Sequence, residues 1–392
     1  MGGRRGFAQF ITPSPANREP GQRVWLPFIE TGSGTDIYTD LLATGLAAEG
    51  HIAMPQALDH RLQYTPWLLE PIGPPRGTTV TLTNSWNGFA FRGRSHRLVV
   101  VEHLFLFDAA LQEFKSPAQR LFHEVLVRHW ENRSFRVADA IVAVSHYTAA
   151  TMRAVLPFDG IHVIHNGIDL ELFSPPTHRR APRTNEPVRL LFVGNPTRRK
   201  GYDLLPRIMQ ELGPGYALSY TSGREPDALP PHPGMHCLGC LNREQVRNAY
   251  CNADLVVFPS RLEGFGYAPV EAMACGTPAV VTRGSSLVEL VDDGITGRLC
   301  DPEEPAAFAA AIRALSADRE NLLQMGEAAR RHVERQFSLR QMTRSYLELF
   351  EALEERPVRR SSNTRSPTSS PSLRASSGMA TPPDVAAATD GH

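Results

Sequence analysis

The stretch that says most about the architecture of this chain lies at residues 259–280 and reads PSRLEGFGYAPVEAMACGTPAV. It follows a short, apolar, β-branched run, LVVF, which is typical of a buried parallel strand. Gly264 and Gly266 allow the backbone to turn tightly and to come close to a ligand. Pro269 suits the first turn of a helix, and Gly276 suits the end of that helix. The stretch therefore predicts a strand, a glycine loop and a helix.

Two carboxylates border this loop, Glu263 on its strand side and Glu271 on its helix side. Free N–H groups at the start of a helix attract anions and hydroxyl-rich ligands. We expect Glu271, in the first turn of the helix, to stay ionised and to accept hydrogen bonds from a vicinal diol. A bare backbone turn with an acid on each side predicts sugar recognition.

Length and charge narrow the class of protein. The chain has 392 residues, which favours two domains, and 42% of them are hydrophobic, which supports sizeable cores. The 41 basic and 41 acidic residues cancel, which argues against nucleic acid as a partner. The sequence shows neither an apolar run of membrane-spanning length nor the pattern of a signal peptide. We expect a cytoplasmic protein, with peripheral contact at the inner face of the membrane left open.

Five cysteines, all in the second half, do not indicate a disulfide framework. Cys237 and Cys240 form a CxxC pair, but His236 and Cys251 do not clearly supply the second ligand pair that a zinc site needs. The role of the CxxC pair stays open. We predict no metal site.

Apolar runs alternate with helical patterns along both halves of the chain, as in parallel α/β architecture. Strands are predicted at 24–29, 78–83, 97–102, 139–145, 188–194, 216–223, 254–260 and 278–282, and helices at 36–50, 115–136, 146–155 and 337–355. A proline-rich, polar segment separates the halves. Two doubly wound halves imply a cleft between them, with ligands at the carboxyl ends of the strands.

Residues 259–280 resemble the donor-site signature of the retaining glycosyltransferases of family four, the glycosyl transferases group 1, in which an E-x7-E pair encloses a glycine loop. The resemblance covers about 24–355. It implies the GT-B fold, in which two Rossmann-like, doubly wound parallel-sheet domains face each other across a cleft. Composition predicts a disordered segment at 1–20, a linker at 176–187 and a disordered tail at 357–392. The resemblance implies an acceptor-binding domain at 21–175, a donor-binding domain at 188–336 and a helix crossing back to the first domain at 337–356.

A second candidate for ligand binding is GNPTRRKG at 194–201, directly after a predicted strand. Three adjacent cations before a helix could bind a diphosphate. The start of the helix offers backbone N–H groups, an arginine offers a forked pair of donors, and the lysine offers a single positive charge. The family pattern here is G-R-x-x-x-x-K-G, and Lys200 matches it. Asn195 stands at the arginine position, so we expect Arg198 or Arg199 to substitute for the missing cation.

The first half adds three positions. Gly32 and Gly34 lie in a TGSGT loop that resembles the family's first glycine loop, although a GxG turn is also common without function. His103 follows the strand RLVVVE and is expected to face the cleft, where it could donate a hydrogen bond to a sugar hydroxyl. The complete predicted donor-binding set is Gly32, Gly34, Asn195, Arg198, Arg199, Lys200, Cys240, Leu241, Glu263, Gly264, Phe265, Gly266 and Glu271. The predicted catalytic residues are Glu263, Lys200 and His103.

Three other segments carry weaker signals. Asn166 and Gly167, in VIHNGIDLELF, match a family segment that we interpret as structural. Glu289 is either a contact to the donor's base or ribose or an acid on a helix surface. Phe89 and Phe91, in FAFRGRSHR, could contact a membrane or a lipid-linked acceptor, although a surface loop is favoured there.

These observations predict a metal-independent glycosyltransferase in bacterial glycan, polysaccharide or glycolipid synthesis. It would move a hexose-type sugar from a nucleotide-diphosphate sugar to an acceptor hydroxyl, with retention implied by the family. No cofactor is expected besides the donor substrate. The sugar, the nucleotide and the acceptor stay open; the acceptor could be a lipid-linked sugar, a polysaccharide or a small molecule. The alternatives are a sugar-nucleotide epimerase of the same fold and a non-catalytic nucleotide-sugar binding protein.

Overall fold

The computed structural model describes residues 21–355, apart from 33, 94–95, 159, 178–185 and 223–231. The terminal segments predicted at 1–20 and 357–392, and most of the predicted linker at 176–187, lie outside the described residues.

Twelve strands form two six-stranded parallel sheets within the described part of the chain. The first sheet has the order β2-β1-β3-β4-β5-β6 and the second the order β12-β11-β10-β7-β8-β9. The first sheet contains β1 (Arg23–Ile29), β2 (Ile52–Leu58), β3 (Val80–Asn84), β4 (Arg97–Glu102), β5 (Ala140–Ala143) and β6 (Ile161–Val163). The second contains β7 (Val188–Phe192), β8 (Tyr216–Thr221), β9 (Met235–Gly239), β10 (Leu255–Phe258), β11 (Ala279–Thr282) and β12 (Gly297–Cys300).

Helices connect the parallel strands, as a crossover topology requires. They are α1 (Gly34–Ala48), α2 (Pro117–Phe122), α3 (Arg128–Val137), α4 (His146–Val155), α5 (Leu205–Leu212), α6 (Arg243–Asn252), α7 (Tyr267–Ala274), α8 (Leu287–Leu290), α9 (Pro305–Ala317), α10 (Arg319–Gln336) and α11 (Leu339–Glu354). A π-helical turn at His123–Val127 joins α2 to α3, so the single helix predicted at 115–136 has three segments. None of the described helices combines the length and the apolar character needed to cross a membrane.

The predicted fold class is confirmed, because both sheets are parallel and doubly wound. In each sheet the strand order reverses beside the first strand of that half, between β1 and β3 and between β7 and β10. Such reversals open a crevice at the carboxyl ends of the strands, where ligands bind in this architecture. Both candidate ligand-binding loops of the second half, after β7 and after β10, lie at this edge.

The two phenylalanines of the FAFRGRSHR segment are buried. Phe89 and Phe91 are 7% and 2% exposed and pack in the core of the first sheet. The Arg92 guanidinium, whose side chain is 10% exposed, lies 2.5 Å from the Asp139 carboxylate. Neither the possible membrane contact nor the favoured surface loop fits these two phenylalanines, because both are buried in a short 3-10 turn at Gly88–Phe91.

The last helix, α11, packs on α1. The Tyr38 hydroxyl donates a 2.5 Å hydrogen bond to the Tyr346 hydroxyl, and both rings are buried. The chain before α11 pairs with the segment around Ile168, whose N–H donates to the Phe337 carbonyl at 2.8 Å. A Cβ on Gly167 would lie 2.7 Å from the Leu339 backbone, so Gly167 has the structural role that we inferred.

The contact between α1 and α11 gives a first prediction. A Cβ at Gly45 would lie 2.0 Å from Oγ1 of the buried Thr343. Gly45→Val should therefore lower the free energy of unfolding by about 1–3 kcal/mol, the usual cost of overpacking a core. Urea denaturation measures this change, and Thr44→Val on the exposed face of α1 is the control, with an expected change within about 0.5 kcal/mol. Equal stability of the two variants would contradict the close packing.

Candidate functional site

The loop between β10 and α7 lies against the carboxyl end of β4. A Cβ at Gly264 would come within 1.8 Å of the His103 carbonyl oxygen, so a side chain has no room there. Gly266 has a φ of 107°, a left-handed conformation that other residues rarely adopt. The two glycines that the sequence singled out are therefore required, one by a close backbone approach and one by its dihedral angle.

Hydrogen bonds from neighbouring segments hold the backbone of this loop. The Ser286 hydroxyl donates to the carbonyls of Glu263 and Phe265, at 3.0 and 2.6 Å. The Thr148 hydroxyl, from α4 beside the first sheet, donates to the Gly264 carbonyl at 3.2 Å. Segments of both halves thus hold the loop in position.

Lys200 and Glu263 form a buried ion pair at the sheet edge. Nζ of Lys200 lies 2.6 Å from Oε1 of Glu263, and the two side chains are 19% and 7% exposed. The Ser260 hydroxyl donates to the same carboxylate oxygen at 2.7 Å, and Nη1 of Arg199 lies 3.5 Å from the other oxygen. Two cations from the segment after β7 therefore contact one carboxylate from the loop after β10.

Burial and pairing act in opposite directions on these two groups. Burial raises the pKa of Glu263, but Lys200 and Arg199 outweigh it and hold the pKa of that carboxyl below its ordinary value. Burial also lowers the pKa of Lys200, and the attraction of Glu263 offsets part of this effect. The cations consequently keep Glu263 in its carboxylate form.

A cavity of about 310 Å³, cavity A, opens at the same edge. It brings together four predicted donor residues, Asn195, Cys240, Leu241 and Glu271. The other residues that line cavity A are Ile37, Phe173, Val193, Gly194, Thr221, Gly239, Arg243 and Val246. Most come from the second half, with Ile37 contributed by α1, so the two halves close cavity A together. Its size suits part of a small-molecule ligand.

Glu271 differs from its predicted state in two respects. It is the fifth residue of α7 and so lies beyond the first turn. Burial raises the pKa of its carboxyl to about 7, although the Tyr250 hydroxyl, which donates to it at 3.2 Å, and the nearby Arg243 work in the opposite direction. Burial therefore opposes the ionised state that we expected of Glu271, because packing against α6 removes water from the carboxyl.

A second cavity, cavity B, of about 300 Å³ opens at the carboxyl ends of β1, β3 and β4. His103 is one of the residues that line it. Burial lowers the pKa of His103 to about 4, so its imidazole is neutral near pH 7. The ring packs edge-on against Tyr38 with 4.6 Å between the centroids. A neutral histidine can donate one hydrogen bond and accept another.

The first glycine loop reaches the same region. A Cβ at Gly34 would lie 3.7 Å from the ring of Tyr267, the first residue of α7. Gly32 has a φ of 68°, and its N–H donates to the Asp36 carboxylate at 2.6 Å. Gly34 is therefore close to the loop after β10, whereas Gly32 shapes the start of α1. Ser33, between them, lies outside the described residues.

Of the two arginines that could replace the missing cation, the structure brings Arg199 to the site. Its Nη1 donates to the Leu262 carbonyl at 2.7 Å, in addition to its contact with Glu263. Arg198 is exposed, and its carbonyl accepts a hydrogen bond from Arg261. Arg199 is thus the cation next to Lys200.

Glu289 caps a helix of the other half. Its carboxylate accepts from the N–H groups of His146 and Tyr147, at 2.8 and 2.6 Å, and lies 2.9 Å from Nε2 of His165. His146, His165 and Glu289 are close enough to hold a metal ion, but both carboxylate oxygens already accept backbone hydrogen bonds. Glu289 therefore joins the two halves.

Sequence reasoning missed three polar residues of the site, Ser260, Tyr250 and Arg243. Ser260 lies three residues before Glu263, so its hydroxyl could have been considered from the spacing. Tyr250 and Arg243 lie on α6, which carries no recognisable motif, and only the fold brings them to Glu271 and cavity A.

Two family descriptions match the chain. Residues 227–332 match "Glycosyl transferases group 1", and residues 80–172 match "Glycosyltransferase Family 4". The two matches contain the loop after β10 and the strand that ends before His103.

Curated relatives agree with these matches. A D-inositol 3-phosphate glycosyltransferase 1 of Catenulispora acidiphila is 33% identical over 223 residues, which cover 50% of each chain. A D-inositol 3-phosphate glycosyltransferase of Xylanimonas cellulosilytica is 30% identical over 255 residues, which cover 58% of this chain and 61% of the relative. The chain thus spans about half the length of the curated relatives it matches.

Solved structures share the fold. A sucrose-phosphate synthase from Thermosynechococcus elongatus superimposes with a TM-score of 0.70 at 20% identity and covers 85% of this chain and 100% of its own. Anabaena HepE in complex with UDP and glucose gives a TM-score of 0.64 at 18% identity and covers 84% and 99% of the two chains. These likenesses confirm the GT-B fold.

Proposed function

Because this chain belongs to glycosyltransferase family four, the glycosyl transferases group 1, we propose that it transfers a hexose-type sugar from a nucleotide-diphosphate sugar to an acceptor hydroxyl, with retention of configuration. A uridine diphosphate sugar is the first donor to consider, since Anabaena HepE, which has the same fold, was solved with UDP and glucose.

One observation carries the proposal. The Lys200–Glu263 ion pair, the bare loop at Gly264–Gly266 and cavity A with Glu271 lie at one sheet edge. A cation pair suits a diphosphate, a backbone loop suits a sugar, and a carboxyl group in a cavity suits the hydroxyls of a ribose. The arrangement thus offers one group for each of these three parts of a nucleotide sugar.

In the proposed reaction, the bond between the anomeric carbon and the diphosphate oxygen breaks, and negative charge builds up on the departing diphosphate. Lys200 and Arg199 stabilise this charge electrostatically. The acceptor hydroxyl attacks the anomeric carbon from the face that the diphosphate leaves, and a leaving phosphate oxygen takes its proton. Glu263 orients the donor sugar and holds Lys200 in place, and His103 donates a hydrogen bond to a sugar hydroxyl.

Incubation of the protein with radiolabelled UDP-glucose, and then with other nucleotide sugars, tests this proposal. Transfer, or slow hydrolysis that releases the free sugar, supports a glycosyltransferase. Conversion to an isomeric nucleotide sugar would show an epimerase, and binding without any conversion would show a non-catalytic protein. Either of these results would contradict the proposed function.

The raised pKa of Glu271 predicts a pH dependence of donor binding. Below a pH of about 7 the carboxyl is protonated and loses part of its capacity to accept hydrogen bonds from a diol. The affinity for UDP-glucose should therefore rise as the pH increases through about 7, by roughly tenfold, which corresponds to about 1.4 kcal/mol. Isothermal titration calorimetry at several pH values measures this change.

Glu271→Gln is the matched control for this titration, because it keeps the shape of the side chain and cannot ionise. Its affinity should stay at the weak, low-pH level of the wild type throughout the range. A parallel rise in the two proteins would show that a group other than Glu271 titrates.

A further inference from the structure

Arg261, in the loop after β10, has a guanidinium group that is fully engaged within the protein, and its side chain is only 8% exposed. Nη1 and Nη2 donate to the two oxygens of the Asp203 carboxylate, at 2.6 and 2.9 Å. Nε and Nη2 donate to the two oxygens of Glu303, and Nη1 also donates to the Arg198 carbonyl. These bonds use all five N–H donors of a guanidinium, so none is left for a ligand.

Arg261 also holds the backbone of the segment after β7. Its main-chain N–H donates to the Arg199 carbonyl at 2.9 Å, and its guanidinium contacts the preceding carbonyl, that of Arg198. The segment Arg198–Lys200 is a single 3-10 turn, which has few hydrogen bonds of its own. The direction in which the side chains of Arg199 and Lys200 leave this turn therefore depends on Arg261.

Close packing fixes the other end of the same turn. Gly201 has a φ of 69°, and a Cβ there would lie 2.0 Å from the Pro259 carbonyl oxygen. Pro259 lies two residues before Arg261, so both ends of the turn contact the same short stretch after β10. The turn that carries Lys200 and the loop that carries Glu263 are consequently fixed to each other.

Glu303, which follows β12, has an unusual backbone conformation. Its φ of 62° lies in the left-handed region, which residues other than glycine rarely adopt. Such a conformation is strained, persists only where the surrounding contacts impose it, and is found most often at functional sites. Both oxygens of its carboxylate accept from Arg261, so the strained residue belongs to the contacts that hold this arginine.

The charges around Arg261 suit a neighbour of a phosphate site. Residues 198–200 are three consecutive cations, and Arg261 adds a fourth beside them. Like charges at such short range repel one another. The carboxylates of Asp203 and Glu303 balance Arg261 and add one further negative charge, which offsets part of this repulsion. Because these acids contact Arg261, they leave Lys200 to its contact with Glu263.

We propose that Arg261 is a positioning residue for the diphosphate of the donor. It touches no atom of the substrate, and it orients Arg199 and Lys200 so that both cations meet the second phosphate of the nucleotide. The inference rests on the proposed function, because the diphosphate is the part of the donor that these cations would bind. Arg261 acts through the geometry of its five hydrogen bonds as well as through its charge, so lysine cannot replace it.

Titrations of UDP and UMP, which differ by one phosphate, test this role. Each nucleotide is titrated by calorimetry into the full chain and into Arg261→Lys. The variant should bind UDP roughly tenfold more weakly, whereas its affinity for UMP should change by less than about twofold. Arg313→Gln, which removes an exposed arginine of α9, should retain both affinities. An unchanged affinity for UDP in Arg261→Lys, or an equal loss for both nucleotides, overturns the inference.

Glu303→Gly keeps the question decidable if Arg261→Lys does not fold. Glycine adopts the left-handed conformation without strain, so this variant should fold and keep a thermal midpoint close to that of the wild type. It also removes the carboxylate that accepts from two nitrogens of Arg261. Its affinity for UDP should fall by roughly threefold, with the affinity for UMP retained. Wild-type affinity for UDP in folded Glu303→Gly would likewise contradict the positioning role.

The wild-type titrations separate this inference from the proposed function. If the wild type binds neither UDP nor UDP-glucose, the proposed function fails and the inference fails with it. If the wild type binds UDP and turns over UDP-glucose while Arg261→Lys binds UDP equally tightly, the inference about Arg261 fails alone.

Discussion

Replacement of Lys200 with alanine is expected to lower turnover of the nucleotide sugar by roughly 10²–10³-fold, the usual effect of removing one group that stabilises charge in a transition state. The reason is the position of its ammonium group beside Glu263 and the glycine loop, where the departing diphosphate would develop its charge. Steady-state release of UDP in the presence of an acceptor measures the change. Arg207→Ala, which removes an exposed cation from α5, should retain normal turnover.

The stability of the Lys200→Ala variant has to be measured together with its turnover, because Lys200 belongs to a buried ion pair. Removal of one partner of such a pair typically destabilises a protein by about 3–5 kcal/mol. Arg199, 3.5 Å from the same carboxylate, should make the loss smaller than that here. The double variant with Lys200→Met and Glu263→Gln removes both charges of the Lys200–Glu263 pair and should recover part of the stability but not turnover. Turnover near the wild-type level in folded Lys200→Ala would contradict the phosphate role.

Gly264→Ala is expected to have an effect on turnover of similar size. The new Cβ would lie 1.8 Å from the His103 carbonyl oxygen, and both groups belong to the backbone, so neither can rotate away. The two loops must move apart by a large fraction of an ångström or more. A displacement of about 1 Å between catalytic groups can cost roughly 10²-fold in rate. The measurement is turnover of UDP-glucose together with the thermal midpoint of unfolding.

The matched control is Gly73→Ala, at an exposed glycine where an added Cβ meets no atom within 4 Å. This variant should keep both its rate and its thermal midpoint. If Gly264→Ala also kept its rate, the loop after β10 and the end of β4 would not need to touch during the reaction.

The sequence predicted those elements whose signals are local. The strand β4 and the helix α4 have the predicted bounds, because a continuous apolar run and a Ser145 cap mark them. The strand β2 was missed because its sequence, IAMPQAL, contains Pro55. Proline cannot donate a hydrogen bond, but β2 is an edge strand that pairs with β1 alone, so its missing donor does not disrupt the sheet.

For the candidate site, the sequence identified residues but neither their ion pairing nor their protonation. Lys200 and Glu263 were both predicted, yet their ion pair joins positions 63 residues apart, which only the order of β7 and β10 in the sheet makes neighbours. Likewise, the unusual pKa of Glu271 depends on packing against Tyr250 of α6. The assignment of individual donor-binding roles remains a prediction until ligands are tested.

The capping of α4 by Glu289 has a consequence for how the enzyme would release its nucleotide. Its carboxylate belongs to α8. The groups that donate to it are the first backbone N–H groups of α4, and Nε2 of His165 contacts it as well. A hinge opening wide enough to free a product would leave the first turn of α4 without an anion at its positive end. Burial alone would raise the pKa of Glu289, but His165 and the two amides lower it below the ordinary value. The carboxylate form of Glu289, and with it the contact between α8 and α4, is therefore retained at neutral pH.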